Sequence, residues 1–164
     1  MVNEAHLRAA CCDLVADVVR ASGQVQLKVT GASMVPVLWP GDLLTVRSFE
    51  PSSLTPGSIL VFRQNQRLVV HRLMHREADS FITRGDARPC LDAPVSPAEV
   101  LGRVVAAQRN GRALSLQPSL WQKLFASALR RSEGFTAIYL RLVSRMRRFG
   151  VSAAALQPAD LIRQ

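Results

Sequence analysis

The chain predicts a mainly β fold: a coiled, partly closed antiparallel β domain with a short N-terminal helix and a basic helical C-terminal appendage. Three observations carry that prediction. Between residues 23 and 116 the apolar residues fall into short runs or alternate with polar ones, the period of a strand. Gly, Pro and Asn punctuate those runs at short intervals, and Asn110-Gly111 is a strong hairpin signal. Three- and four-residue periodicity is confined to the two ends of the chain.

The N-terminal periodicity predicts a helix over residues 4–21. Leu7, Ala10, Cys11, Leu14, Val15, Val18 and Val19 are expected on its buried face, with Arg8, Asp13, Asp17 and Arg20 elsewhere. Ser22-Gly23 ends it, glycine being the residue that most readily follows a helix C-terminus. Strands are expected over 24–29, 42–47, 58–63, 67–75, 81–84, 100–108 and 112–116. The turn Gln64-Asn65-Gln66 should join the third and fourth as a hairpin. Residues 50–58 form a Pro/Ser/Gly loop, and Pro89, Pro94 and Pro97 keep 86–97 from being regular strand. Residues 119–131 and 134–149 look like two helices. Units are therefore expected at 1–22, 23–116 and 117–164.

Composition narrows the function classes. A hydrophobic content of 48% in 164 residues supports a packed core and argues against disorder. Cys11, Cys12 and Cys90 have neither disulfide-framework nor zinc spacing, which favours a reducing compartment. The segment 4–20 is interrupted by charge, unlike a signal peptide, and no run reaches the ~20 apolar residues of a spanning helix. The expectation is a cytoplasmic protein, attached at most to a membrane surface. Of the formal net charge of +9, residues 1–116 hold 13 Lys/Arg against 10 Asp/Glu, and residues 117–164 hold 8 against 2. Membrane-surface contact through residues 119–149 is one reading of that basic segment, and a solvated arginine face on a packed appendage is another. Nucleic acid is a poor candidate partner, because high pI without a binding motif is weak evidence. Neither a metal nor a cofactor is expected.

The residues that could carry chemistry centre on Gly31-Ala32-Ser33-Met34. A strand ends there and Pro36 and Pro40-Gly41-Asp42 turn the chain away, which leaves a hydroxyl and adjacent N–H groups at a strand end. By itself the stretch reads more simply as a Gly/Pro turn holding an ordinary serine. A nucleophilic serine needs a base. His71 lies in Leu68-Val69-Val70-His71-Arg72-Leu73, on the face of Val69 and Leu73 by alternation; a hydrogen-bonded core histidine is the plain alternative. His6 is expected at the helix surface and His75 nearer a turn. Asp86 and Asp92, in the Gly/Pro-containing stretch after residue 84, are the acid candidates; local turn hydrogen bonding is theirs.

These segments together resemble the signal peptidase I and LexA-type serine peptidase superfamily. The matching segments are Gly31-Ala32-Ser33-Met34-Val35-Pro36 with Pro40-Gly41-Asp42, then Pro56-Gly57-Ser58-Ile59-Leu60-Val61-Phe62-Arg63. They continue with Val70-His71-Arg72, Phe81-Ile82-Thr83-Arg84-Gly85-Asp86, Asp92 and Val100-Leu101-Gly102-Arg103-Val104-Val105, covering about residues 23–108. Histidine stands at the base position, and Lys28 and Lys123 lie outside the match. The chain is thus most similar to the Ser/His/Asp branch of archaea and the endoplasmic reticulum, without its transmembrane anchor.

The resemblance implies a serine endopeptidase that cleaves a leader or signal-like segment of a peptide or precursor protein by acyl transfer. It casts Ser33 as nucleophile and His71 as general base, with Asp86 or Asp92 orienting His71; of the two, Asp92 is favoured as that partner and Asp86 as site-shaping. Gly31, Ala32 and Met34 would border the oxyanion. An unperturbed imidazole titrates near about pH 6.5, so it can act as a base at neutral pH. Relatives often carry a hydroxyl residue where Gly31 stands, which leaves the backbone N–H of Ser33 with most of that work. Two other classes compete: a degenerate relative that binds peptides without cutting them, and a LexA-like regulator. The second is disfavoured by the missing lysine and by too few residues before the nucleophile segment for a DNA-binding domain.

Overall fold

The structure, a computed structural model, describes residues 4–118. The helices expected over 119–131 and 134–149 lie outside the described residues. One helix, α1 (Glu4–Ser22), precedes seven strands: β1 (Gln24–Lys28), β2 (Leu43–Arg47), β3 (Ile59–Gln64), β4 (Arg67–Arg76), β5 (Phe81–Arg84), β6 (Val100–Arg109) and β7 (Arg112–Ala113). They form one antiparallel sheet in the order β1-β2-β6-β3-β4-β5, with β7 on β6, and the sheet does not close on itself.

The middle of the sheet explains its most apolar segment. Ile59-Leu60-Val61-Phe62 has no polar residue because β3 lies between β6 and β4 and is covered on both faces. Ile59 and Val61 enter one core with Met34, Leu38, Leu44, Val46 and Val104. Leu60 and Phe62 enter the other with Leu73, Phe81, Val95 and Val100. Each such side chain contributes about 1.5–3 kcal/mol by leaving water. The first core lies under the segment carrying Ser33 and the second under the strand carrying His71.

Turn chemistry sets the hairpins. β3 and β4 are joined by only two residues, Asn65 (φ 49°) and Gln66 (φ 58°), one fewer than the expected three-residue turn. Asn110 (φ 50°) and Gly111 (φ 78°) do the same between β6 and β7; paired positive φ values match the twist of the flanking strands. β6 crosses β2 and β3 with register shifts. At that crossing a Cβ on Gly102 would stand 2.5 Å from Val46 Cγ1 and 2.8 Å from the Arg47 carbonyl oxygen. Only glycine lets the strands approach so closely.

The expected buried face of α1 needs correcting. Cys12, Val15 and Val19 are buried, and the helix packs on β1, β4 and β6. Leu7, Cys11 and Leu14 are exposed, Leu7 at 65% and Leu14 at 62%. Two apolar stripes of equal spacing run along this helix one residue apart: 7, 11, 14, 18 and 12, 15, 19. Periodicity cannot choose between them, and contact with the sheet does. An Asp13–Arg63 bond of 2.8 Å ties α1 to β3. Both side chains are well exposed, so it adds at most about 1 kcal/mol. Among the described residues no helix is long and apolar enough to cross a membrane.

Candidate active site

Ser33 sits in the loop between β1 and β2, and main-chain bonds close the base of that loop. The Val29 N–H donates to the Asp42 carbonyl and the Gly41 N–H to the Val29 carbonyl, each at 2.8 Å. Gly41 takes the positive φ (103°) that this closure needs. Met34, Val35, Val37, Leu38 and Trp39 anchor the loop in the core. Asp42, 1% exposed, accepts from the Trp39 N–H at 2.8 Å and pairs bidentately with Arg109 from the end of β6, both bonds 2.8 Å. The Arg109 guanidinium also lies over the Trp39 ring, 5.7 Å from its centroid. The expected Pro-Gly-Asp turn is present, and its aspartate is the point from which the loop is held.

His71 comes from the middle of β4, opposite Leu60 of β3. Its face is that of Val69 and Leu73, and the Phe62 ring meets its imidazole edge-on at 6.1 Å. His71 Nε2 lies 2.9 Å from Ser33 Oγ, and Nδ1 lies 2.6 Å from Asp92 Oδ2. The same Oδ2 accepts from the Thr83 hydroxyl at 2.7 Å. Asp92 reaches this position because residues 86–95 fold back along β5. Its N–H donates to the Thr83 carbonyl, and Val95 and Phe81 exchange two main-chain bonds.

Burial pushes the Asp92 carboxyl up, but hydrogen bonds from His71 and Thr83, with the charges of His71 and Arg88, outweigh it. The net effect holds the group below the ordinary aspartate range. An ionised carboxylate has no proton to give. His71 Nδ1 therefore carries the hydrogen that bonds Asp92, and Nε2 is left to accept from the Ser33 hydroxyl.

Asp86 does not meet His71. It pairs with Arg72, the neighbour of His71 on the other face of β4, through bonds of 2.8 and 2.7 Å. The same guanidinium donates to the carbonyls of Gly57 (2.8 Å) and Leu116 (3.2 Å). The Asp86 loop in turn touches the serine: the Ala87 N–H donates to the Ser33 carbonyl at 2.9 Å. A Cβ on Gly85 would stand 2.7 Å from that carbonyl oxygen and 3.0 Å from His71 Nε2. Glycine lets the loop lie this close against both the Ser33 carbonyl and the His71 imidazole.

Of the remaining sequence candidates, Gly31 and Ala32 flank Ser33, with Gly31 exposed and open space where a side chain would be. Met34 is buried in the core. The Ser33 N–H donates to no protein acceptor among the described residues. His6 and His75 are exposed and away from this cluster. Among the described residues no group of three or more His, Cys, Asp or Glu side chains could hold a metal ion. Arg72, Thr83 and Arg109 went unassigned in the sequence. Only Arg72 had a signal: an arginine beside an apolar-face histidine in a central strand, which burial obliges to find a carboxylate.

A serine, a histidine and a carboxylate joined in series by hydrogen bonds form a constellation that recurs on unrelated folds among acyl-transfer hydrolases. The profile of the family described as Peptidase S24-like matches residues 3–105, and the chain belongs to this family. No curated protein matches the chain.

Proposed function

We propose that this chain is a serine endopeptidase of the signal peptidase I type, in the Ser/His/Asp branch of its superfamily. The observation that supports this reading best is the unbroken hydrogen-bonded series from Ser33 through His71 to Asp92. In the proposed reaction His71 Nε2 takes the hydroxyl proton as Ser33 Oγ attacks the scissile carbonyl. The developing imidazolium is stabilised by the Asp92 carboxylate, and its proton passes to the leaving amine. Water then repeats the sequence on the acyl-enzyme and restores Ser33. The unengaged N–H of Ser33 is the proposed oxyanion donor, with Gly31, Ala32 and Met34 bordering that space. Asp86 shapes the site through Arg72.

The proposed substrate is an extended leader or signal-like segment of a peptide or precursor protein. β1 pairs only with β2 among the described residues and leads straight to the serine loop, so its outer edge suits strand addition.

The test is phosphonylation of the purified chain by a fluorophosphonate, in which the serine oxygen displaces fluoride, followed by intact mass. One adduct on wild type and none on Ser33→Ala is expected. No adduct on wild type, or equal labelling of Ser33→Ala, defeats the proposal and leaves peptide binding without cleavage.

A further inference from the structure

We infer that Thr83 is a positioning residue for this reaction: its hydroxyl fixes the Asp92 carboxylate so that one oxygen, Oδ2, faces His71. The inference rests on the peptidase reading.

Thr83 is fully buried, at 0% exposure, in β5. Packing alone would be as well served there by valine, which has nearly the same shape and no hydroxyl to desolvate. The hydroxyl is satisfied by Asp92 Oδ2 at 2.7 Å. That oxygen is also the acceptor for His71 Nδ1, at 2.6 Å. No hydrogen bond reaches Asp92 Oδ1 among the described residues.

This convergence matters because the terminal torsion of aspartate is soft and nearly two-fold. With His71 as its one side-chain donor, the carboxylate could turn and exchange oxygens, and the imidazole would follow. A second donor, fixed in a strand and aimed at the same oxygen, removes that freedom. The main-chain bond from the Asp92 N–H to the Thr83 carbonyl, 2.9 Å, locks the two residues in register. Thr83 thus ties the carboxylate to the sheet, and His71 is held between two groups that cannot drift apart. The titratable and charged groups facing Asp92 are the His71 imidazole from β4 and the Arg88 guanidinium from the loop after β5. The hydroxyl bond acts with them to keep the carboxyl ionised.

The experiment compares Thr83→Val and Thr83→Ser with wild type in the rate of Ser33 phosphonylation by a fluorophosphonate, read per folded molecule. The Asp92 side-chain carboxyl is titrated in parallel by carbon NMR. A hydrogen bond to a charged group is worth enough that Thr83→Val should be labelled roughly 10- to 100-fold more slowly. Thr83→Ser should stay within about 3-fold, since it keeps the donor. The Asp92 midpoint should move up in the valine variant and not in the serine variant. Thr83→Val with wild-type rate and midpoint overturns the inference and leaves the peptidase reading standing. So does an equal loss in both variants with an unmoved midpoint, which would make Thr83 a packing residue. Absence of Ser33-dependent labelling in wild type instead overturns the peptidase reading and any part Thr83 plays in it.

Discussion

Two loops meet at the site, and each is held by an arginine that reaches from a strand to a loop aspartate. In the serine loop, Arg109 of β6 grips Asp42; in the acid loop, Arg72 of β4 grips Asp86. Both pairs are bidentate, both are largely buried, and both arginines also bond backbone carbonyls. They differ in where they act. Arg109 holds residues 37–42, beyond the serine, whereas Arg72 adjoins His71 in β4 and holds the loop whose Ala87 and Gly85 press on Ser33. The first pair secures a loop. The second acts beside the contact between Ser33 and His71. Asp92 belongs to neither class: its partners are an imidazole and a hydroxyl, so its charge is available to chemistry.

The largest expected effect separates Asp92 from both pairs. Asp92→Asn should keep the fold but allow the wrong imidazole tautomer, lowering the hydrolysis or acylation rate on the order of 10⁴-fold. Urea unfolding should change far less than the rate. A parallel collapse of stability and rate would make Asp92 a structural carboxylate like the other two.

The next effect breaks the comparison between the loops. Asp42→Asn and Asp86→Asn each strand a buried guanidinium, so each should cost about 3–5 kcal/mol in urea unfolding. Per folded molecule, Asp42→Asn should acylate at close to the wild-type rate, because its loop is also held by main-chain closure and core packing. Asp86→Asn should acylate about 10-fold or more slowly, since small displacements of a base from its nucleophile are costly. Equal rates in the two variants would remove the distinction.

Local patterns made the fold readable, and long-range partners were what they could not supply. The apolar run 59–62 and Asn110-Gly111 carry their own structural meaning, and the central strand and last hairpin lie where they suggest. Motif order brings out Ser33 and His71, 38 residues apart, and leaves Asp86 and Asp92 as alternatives for the carboxylate; only the fold puts Asp92 on His71 and Asp86 on Arg72. Arg109 could not emerge, because its meaning lies in a carboxylate 67 residues away. Thr83 was hidden for a different reason: threonine is an ordinary strand residue, and only full burial beside a carboxylate makes its hydroxyl informative. On α1, two stripes of identical period competed, and contact with the sheet decided between them.

Acid should sharpen the contrast on a smaller scale. The Asp92 carboxyl lies below its ordinary range in the folded chain. Its stabilising contribution is therefore full above the unfolded value of about 3.9 and is lost as pH falls through the lower folded value. Urea midpoints taken from pH 6 down to pH 2 should fall more steeply for wild type than for Asp92→Asn in the window below about pH 4. Parallel curves would mean that Asp92 gains nothing from its partners.

The smallest expected effect concerns Gly31, at the open start of the serine loop. Gly31 has nothing within 4 Å of where a Cβ would stand, so neither space nor a positive φ demands glycine there. Two residues on, the Ser33 N–H is the donor proposed to face the oxyanion alone. Losing an oxyanion donor from a built site costs about 10²- to 10³-fold, but one added on an exposed loop must compete with water and give up rotamer freedom. Gly31→Ser should therefore raise peptide hydrolysis only about 2- to 10-fold, while Gly31→Ala, which adds the carbon without the hydroxyl, should leave it unchanged. Because the gain is confined to the transition state, it should appear in kcat with KM little altered. A rise shared by the alanine variant would assign the effect to a stiffer loop, and with it the serine loop, like the acid loop, would be limited by how firmly it is held.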